Sequence, residues 1–190
     1  MRAVLQARQV LTRRPFDLHA PNITHHRDNG GRDVVIMPGT GQLTITGFAP
    51  DMRITSADGT VIRDTRVERL ADDSSFVQRL ASKAATSPAL SRMLESFSRS
   101  VDDPDNELVH LYEIRDVAAE SFGCDADARN ALGISKADWG ALGRLANEDP
   151  LRQGRHRGRH LQGLRDATHE ELQQARTVAR NILEALTNAP

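Results

Sequence analysis

The apolar residues of this chain change period once, and that change constrains the fold more than any other feature. Between Asp33 and Asp64 they favour a period of two, with Gln42-Leu43-Thr44-Ile45-Thr46-Gly47-Phe48 the clearest alternation. After Asp64 the spacing becomes helical and stays so to the C-terminus. Alternation is the mark of a strand with one covered face, and helical spacing that of an amphipathic helix. The expected class is therefore α+β, mainly α, with a small antiparallel β meander followed by a bundle of about five to six helices. Only 4% of the residues are aromatic, so the core has to be built from Leu, Val, Ile and Ala.

This reading divides the chain into an N-terminal arm over residues 1–32, a small antiparallel module over 33–65 and a helical bundle over 66–190. In the arm, Val4, Leu5, Val10 and Leu11 offer a turn or two of amphipathic helix before Pro15 and Pro21 break it, and Asn29-Gly30-Gly31 reads as a loop. His25-His26 sits in that loop region, where adjacent side chains point apart and lack further ligands. In the module, Val34-Val35-Ile36-Met37 is a short apolar run. Gly39-Thr40-Gly41 is a turn and no phosphate loop, because neither Lys-Ser/Thr nor a helix follows it. Asp58-Gly59 stands between two extended segments, the pattern of a two-residue hairpin turn in which both central residues take positive φ.

Helix starts and stops punctuate the rest. Asp73 is the expected cap of a helix bearing Phe76, Val77, Leu80, Ala81 and Ala84; Ser87-Pro88 opens a second, with Leu90, Met93, Leu94 and Phe97. Asp103-Pro104 opens a third that ends at Gly123 and, carrying Leu108, Leu111, Tyr112, Ala118 and Phe122, is the expected centre of the bundle. Arg115 interrupts its stripe and is expected to reach the edge or pair with an acid. Two shorter helices, 126–132 and 137–146, are joined at Gly133-Ile134-Ser135, with Ser135 as cap. Their outline is also that of a helix-turn-helix, but Asp138 and Glu148 offset Lys136 and Arg144, which favours a bundle connection over DNA reading. Thr168-His169-Glu170-Glu171 is a capping box, followed by Leu172, Ala175, Ala179, Ile182, Leu183 and Leu186 on one face.

One segment stands out chemically. Leu151-Arg152-Gln153-Gly154-Arg155-His156-Arg157-Gly158-Arg159-His160 holds four arginines and two histidines, and no acid occurs between Asp149 and Asp166. The chain as a whole carries a formal charge of −1, so any affinity for phosphate has to be local. Arginine forks match phosphate oxygens and keep their charge; histidines exchange protons near neutrality. Together they suit metal-independent, acid–base cleavage of RNA or, without catalysis, the binding of RNA, nucleotide or a protein partner through the loop 152–165. The bland alternative is an exposed loop whose Arg152, Arg155, Arg157 and Arg159 pair with Glu148, Asp149, Asp166 and Glu170, at about 0–1 kcal/mol per pair.

Arg155-His156-Arg157-Gly158-Arg159-His160 resembles the Arg, four-to-six residues, His motif of the HEPN superfamily, and the helices around it resemble the HEPN bundle. The resemblance implies a homodimer with two motifs facing one cleft and, in many members, a metal-independent ribonuclease of a toxin–antitoxin or defence system. On that basis Arg155 would bind phosphate in the transition state, His160 would be the catalytic histidine and His156 would orient them. Arg152, Arg157, Arg159 and Arg165 would hold the RNA backbone. The Leu111-Tyr112-Glu113-Ile114, Gly133-Ile134-Ser135 and Gly154-Arg155-His156-Arg157-Gly158 segments also resemble small uncharacterised bacterial proteins, which implies a shared fold and no activity.

No cofactor is expected. A zinc site on His156 and His160 lacks a third ligand and would be repelled by its arginines. Partners expected are RNA and a protein antitoxin or other protein; no membrane is expected, since no apolar run is long enough to span one. A lone cysteine, Cys124, and the absence of a signal-like stretch point to the cytoplasm.

Overall fold

The computed structural model describes residues 2–16, 24–26, 32–34, 51–56, 58–159 and 163–189, the segments 24–26 and 32–34 by their backbone alone. The chain forms two compact units, Asp17–Glu68 and Met1–Phe16 with Arg69–Pro190. The class is α+β and mainly α, with seven α-helices among the described residues.

The smaller unit holds two antiparallel ladders. Strand β1 (Thr24–His26) pairs with β2 (Arg32–Val34) in the register Thr24↔Val34, so His25 and His26 lie on a strand and not on a loop. Residues 35–50, with the Gly39-Thr40-Gly41 turn and the 42–48 alternation, lie outside the described residues. Strand β3 (Arg53–Thr55) pairs with β4 (Val61–Asp64) around Asp58-Gly59. The turn differs from the expected two-residue form: Gly59 donates to Ser56 O at 3.0 Å, and Ser56 donates to Thr60 O at 2.8 Å. Gly59 has φ of +86° and Asp58 is not at positive φ, so one left-handed position does what two were expected to do.

Helix α2 (Thr65–Ala84) begins directly after β4. Asp64 accepts from the amides of Arg66 and Val67 at 3.1 and 3.2 Å and so caps it, which leaves Asp73, the expected cap, inside the helix. No breaker separates residues 65–72 from the rest, and a carboxylate next to exposed amides is sufficient to start the helix there. Only the later turns supply core residues, Val77, Leu80, Ala81 and Ala84.

The larger unit is a bundle. Helix α1 (Arg2–Thr12), in the stretch expected as an arm, buries Ala7, Gln9 and Val10 and packs on α3 (Pro88–Asp102). Helix α3 starts as expected, with Ser87 accepting from Leu90 N. A single 3-10 turn, Pro104–Asn106, leads into α4 (Glu107–Phe122). Helix α4 touches α3, α5 (Asp125–Leu132), α6 (Lys136–Asn147) and α7 (His169–Asn188), and is the centre of the bundle. Its Leu108, Leu111, Ile114 and Ala118 are fully buried against Leu90, Leu94 and Phe97 of α3, Leu142 and Leu145 of α6, and Ile182 and Leu183 of α7, all members of one hydrophobic core. Burial of such side chains stabilises by about 1.5–3 kcal/mol each before chain entropy is counted. Gly133, at φ +65°, ends α5, and Ser135 caps α6 by accepting from Asp138 N. Because Trp139, Leu142 and Leu145 of α6 are buried, the face a helix-turn-helix reader would need is partly committed to the core.

Helix α7 has both halves of its capping box in place. At its far end Lys83 donates to the carbonyls of Thr187, at 3.4 Å, and Ala189, which tethers the last turn of α7 to α2 and places a cation where the helix dipole is negative. Among the described residues no helix is long and apolar enough to cross a membrane.

Candidate functional site

The segment between α6 and α7 is a folded loop whose ends are joined. Arg152 N donates to Arg165 O and Arg165 N to Pro150 O, both at 3.0 Å, forming a parallel bridge between Leu151 and Arg165. Leu151 is 1% exposed and plugs the loop into the core. Arg155 N then donates to Ala146 O at 2.7 Å, which brings the chain back over the last turn of α6. That return needs Gly154: a β-carbon there would stand 3.0 Å from Ala146 O and 3.3 Å from Leu151 O. The glycine permits close backbone approach, to the protein itself in this instance.

Each arginine of the basic run then has a distinct setting. Arg155 donates to Asp116 Oδ2 at 3.2 Å and lies over the Tyr112 ring, 5.0 Å from its centroid. Arg115 also lies 5.0 Å from that centroid and 5.2 Å from the Trp139 ring, so two guanidiniums flank Tyr112. Arg115 donates to Asp125 Oδ2 at 2.6 Å and to Trp139 O at 3.3 Å, the acid pairing expected of it. Gly143 makes room for it, since a β-carbon at that position would fall 2.1 Å from Arg115 Nη1.

Arg157 is held by neutral oxygens alone: Gly154 O at 3.1 Å, Asp105 O at 2.9 Å and the side-chain oxygen of Asn106. Asn106 in turn donates to Asp103 Oδ2 at 2.7 Å, and His110 Nε2 lies 3.3 Å from the same oxygen. These bonds, the Asn106 donor first, hold the Asp103 carboxyl below its usual range. Arg165 donates to both carboxylate oxygens of Glu171 at 2.6 and 2.7 Å. Arg165 thereby locks the capping box and holds the Glu171 carboxyl at about 2. Arg152 reaches Asp166 only at 4.0 Å, with both side chains well exposed. Arg159, in a 3-10 turn over Arg157–Arg159, is exposed; its amide donates to His156 O at 3.0 Å, and its guanidinium has no hydrogen-bond or ion-pair partner among the described residues.

Among Arg152, Arg155, Arg157 and Arg159, pairing with acids is therefore found at two of the four, Arg152 with Asp166 and Arg155 with Asp116, the latter distant in sequence, while Asp149 pairs with Arg144. His156 is half-buried beside these arginines. His160 lies outside the described residues, together with Leu161 and Gln162, so the Arg155–His160 constellation is seen only from its arginine side. That side is not α-helical: Arg155 and His156 precede the 3-10 turn. No cluster of three or more His, Cys, Asp or Glu suited to a metal occurs among the described residues.

A second charged site was invisible in the sequence. Glu107, at the start of α4 and 2% exposed, receives Arg13 Nη2 at 2.6 Å and Arg176 Nε and Nη2 at 2.7 and 2.9 Å. Arg13 also donates to Ser100 Oγ at 2.8 Å. Burial pushes the Arg13 guanidinium below its ordinary value against the pull of Glu107, whereas the hydrogen bonds to Glu107 raise that of Arg176. Beside this triad lies a cleft of about 360 Å³ walled by α1, α3 and α7 residues. The only local signal for it was an acid directly before the apolar stripe that begins at Leu108; the partners are 94 and 69 residues away.

Compared with protein-family models, with characterised proteins and with solved structures, the chain matches none. What the fold and the site define is a helical bundle that carries a docked, cation-rich loop.

Proposed function

We propose that this chain is a helical RNA-binding module whose loop 152–165 engages the phosphate backbone. One observation carries the reading: Arg157 is oriented by three neutral oxygens, with no carboxylate among the described residues within ion-pair range, and the guanidinium of Arg159 beside it has no partner among the described residues. A guanidinium held in place with its charge uncompensated is prepared for an oxyanion. Arg155 and Arg165, by contrast, are bound to Asp116 and Glu171 and shape the loop. Arg155 meets Asp116 through Nη1 alone, so its charge is partly matched while its other donors remain.

The test is anisotropy of labelled single-stranded RNA titrated with the protein over a range of salt. Affinity should fall with salt, and Arg159→Ala or Arg157→Ala should lower the slope of log affinity against log salt by about 0.7 for each phosphate that is no longer neutralised. Salt-insensitive affinity, or none, would overturn the reading. If RNA is instead cut in excess EDTA, leaving 2′,3′-cyclic phosphate ends, and His160→Ala abolishes the cut, the ribonuclease implied by the HEPN resemblance takes its place. That outcome requires a dimer in sedimentation, because the implied cleft is shared.

A further inference from the structure

The cleft beside Glu107 is separate from the basic loop and is built differently. Its three cations come from two places, Arg13 after α1 and Arg176 and Arg180 on α7, and its apolar lining is Leu11 together with the almost wholly buried Val10 and Phe97. Arg13 has a backbone φ of +54°, a left-handed conformation unusual for a side chain of this size, and its guanidinium lies 5.4 Å from the Phe97 centroid. Such a backbone persists only where its surroundings hold it, so this wall of the cleft is fixed before any ligand arrives.

The donors are not exhausted. Arg176 meets Glu107 through Nε and Nη2 and has no acceptor on Nη1 among the described residues. Arg180 meets Glu184 through Nε alone, at 2.7 Å. Three arginines stand against two glutamates, which leaves one positive charge in a cleft where Leu11 offers an accessible apolar wall. A ligand complementary to this has one negative charge, a flat pair of acceptor oxygens and a small apolar body. The volume, about 360 Å³, is at the lower end of small-molecule sites.

We propose that this cleft binds a small organic carboxylate, with Arg176 and Arg180 meeting the carboxylate and the half-buried Leu11 contacting its apolar part. Arg13 and Glu107 position Arg176. The buried ion triad alone accounts for Glu107, but it accounts neither for the unused donors nor for the opening next to them.

Benzoate is a suitable probe, with benzyl alcohol as its uncharged counterpart. In amide NMR spectra of the full chain, benzoate should give saturable shifts at Val10, Leu11, Phe97, Arg176 and Arg180 with a dissociation constant of about 1 mM, and benzyl alcohol should give none. Arg180→Gln, at an exposed position outside the triad, should weaken benzoate by about tenfold while the spectrum stays folded. Shifts that do not saturate, shifts confined to 152–159, equal response to the alcohol, or indifference to Arg180→Gln would each overturn the proposal. RNA binding by the loop is a separate readout, so either site can fail without the other.

Discussion

The arginines around Glu107 and those of the loop 152–165 are the same chemical group in opposite settings. Around Glu107, two guanidiniums converge on one buried carboxylate, and all three groups come from distant parts of the chain. In the loop, neighbours in sequence diverge: Arg155 turns to α4, Arg157 to the turn before it, Arg165 to the α7 cap, and Arg159 to no described partner. Convergence under burial makes a structural joint, because a carboxylate there cannot lose its partners without being left unsolvated. Divergence at the surface makes a binding face, because each arginine is aimed but little of its charge is neutralised at depth. Crowding of cations along a sequence thus marks where charge is displayed, and wide separation is compatible with where charge matters most for folding.

The largest effect expected of any single change is at the joint. Glu107→Gln should lower the urea midpoint by an amount equivalent to about 3 kcal/mol, the low end for breaking a buried ion pair because both arginines keep some water. A loss under about 1 kcal/mol would mean that the triad is no more than a surface bridge and would dissolve the contrast. Next in size is Gly154→Ala, for which about 1–3 kcal/mol is expected because the new methyl meets backbone carbonyls that cannot rotate away. RNA affinity should fall with it, since the same approach positions Arg155 and Arg157; unchanged affinity would show that the loop displays its cations without being docked.

The smallest effect concerns acid. Glu171 has its carboxyl depressed to about 2 in the folded chain, by Arg165 first. A depressed carboxyl contributes stability that is present above the unfolded value, near 4.5, and is lost as the pH falls through about 2. The pair is partly exposed, so about 0–1 kcal/mol is at stake. In thermal melts between pH 5 and pH 2, Arg165→Ala should flatten this share of the acid loss, whereas Arg152→Ala, whose ion pair spans 4.0 Å between exposed groups, should leave the profile unchanged. Equal flattening by both would mean that the loop has no graded architecture.

Features set by near neighbours are readable from the sequence. Ser87 and Ser135 as caps, the Thr168–Glu171 box and the Gly133 stop are each decided within a turn of chain, and each is found. The mainly helical α+β class follows from the change of period. Where a competing local choice exists, the structure takes the other one: Asp64, nearer the strand, fills the capping role expected of Asp73, and Ser56 closes the hairpin one residue wider than the Asp-Gly pair requires. Helix α1 is longer than its flanking prolines suggest, because they follow it and do not interrupt it. Of the candidate site, the display of cations is legible and their partners are not: Asp116 lies 39 residues from Arg155 and Asn106 lies 51 from Arg157. No local pattern encodes contacts at that range, which arise only when α4, α6 and the loop have packed.

Gly143 and Arg115 carry a consequence for the history of the sequence. Any side chain at position 143 would occupy the space of the Arg115 guanidinium, which is itself pinned by Asp125 and Trp139. The two positions are therefore coupled: a side chain at 143 requires the Arg115 guanidinium to swing away from Asp125 and Trp139. A lineage that shortens residue 115 first opens room for alanine at 143, which a helix interior favours over glycine by about 1 kcal/mol; a lineage that tries the reverse order meets a clash at its first step. The order of the two changes therefore matters, and related chains would be expected to avoid a long arginine at 115 together with a side chain at 143.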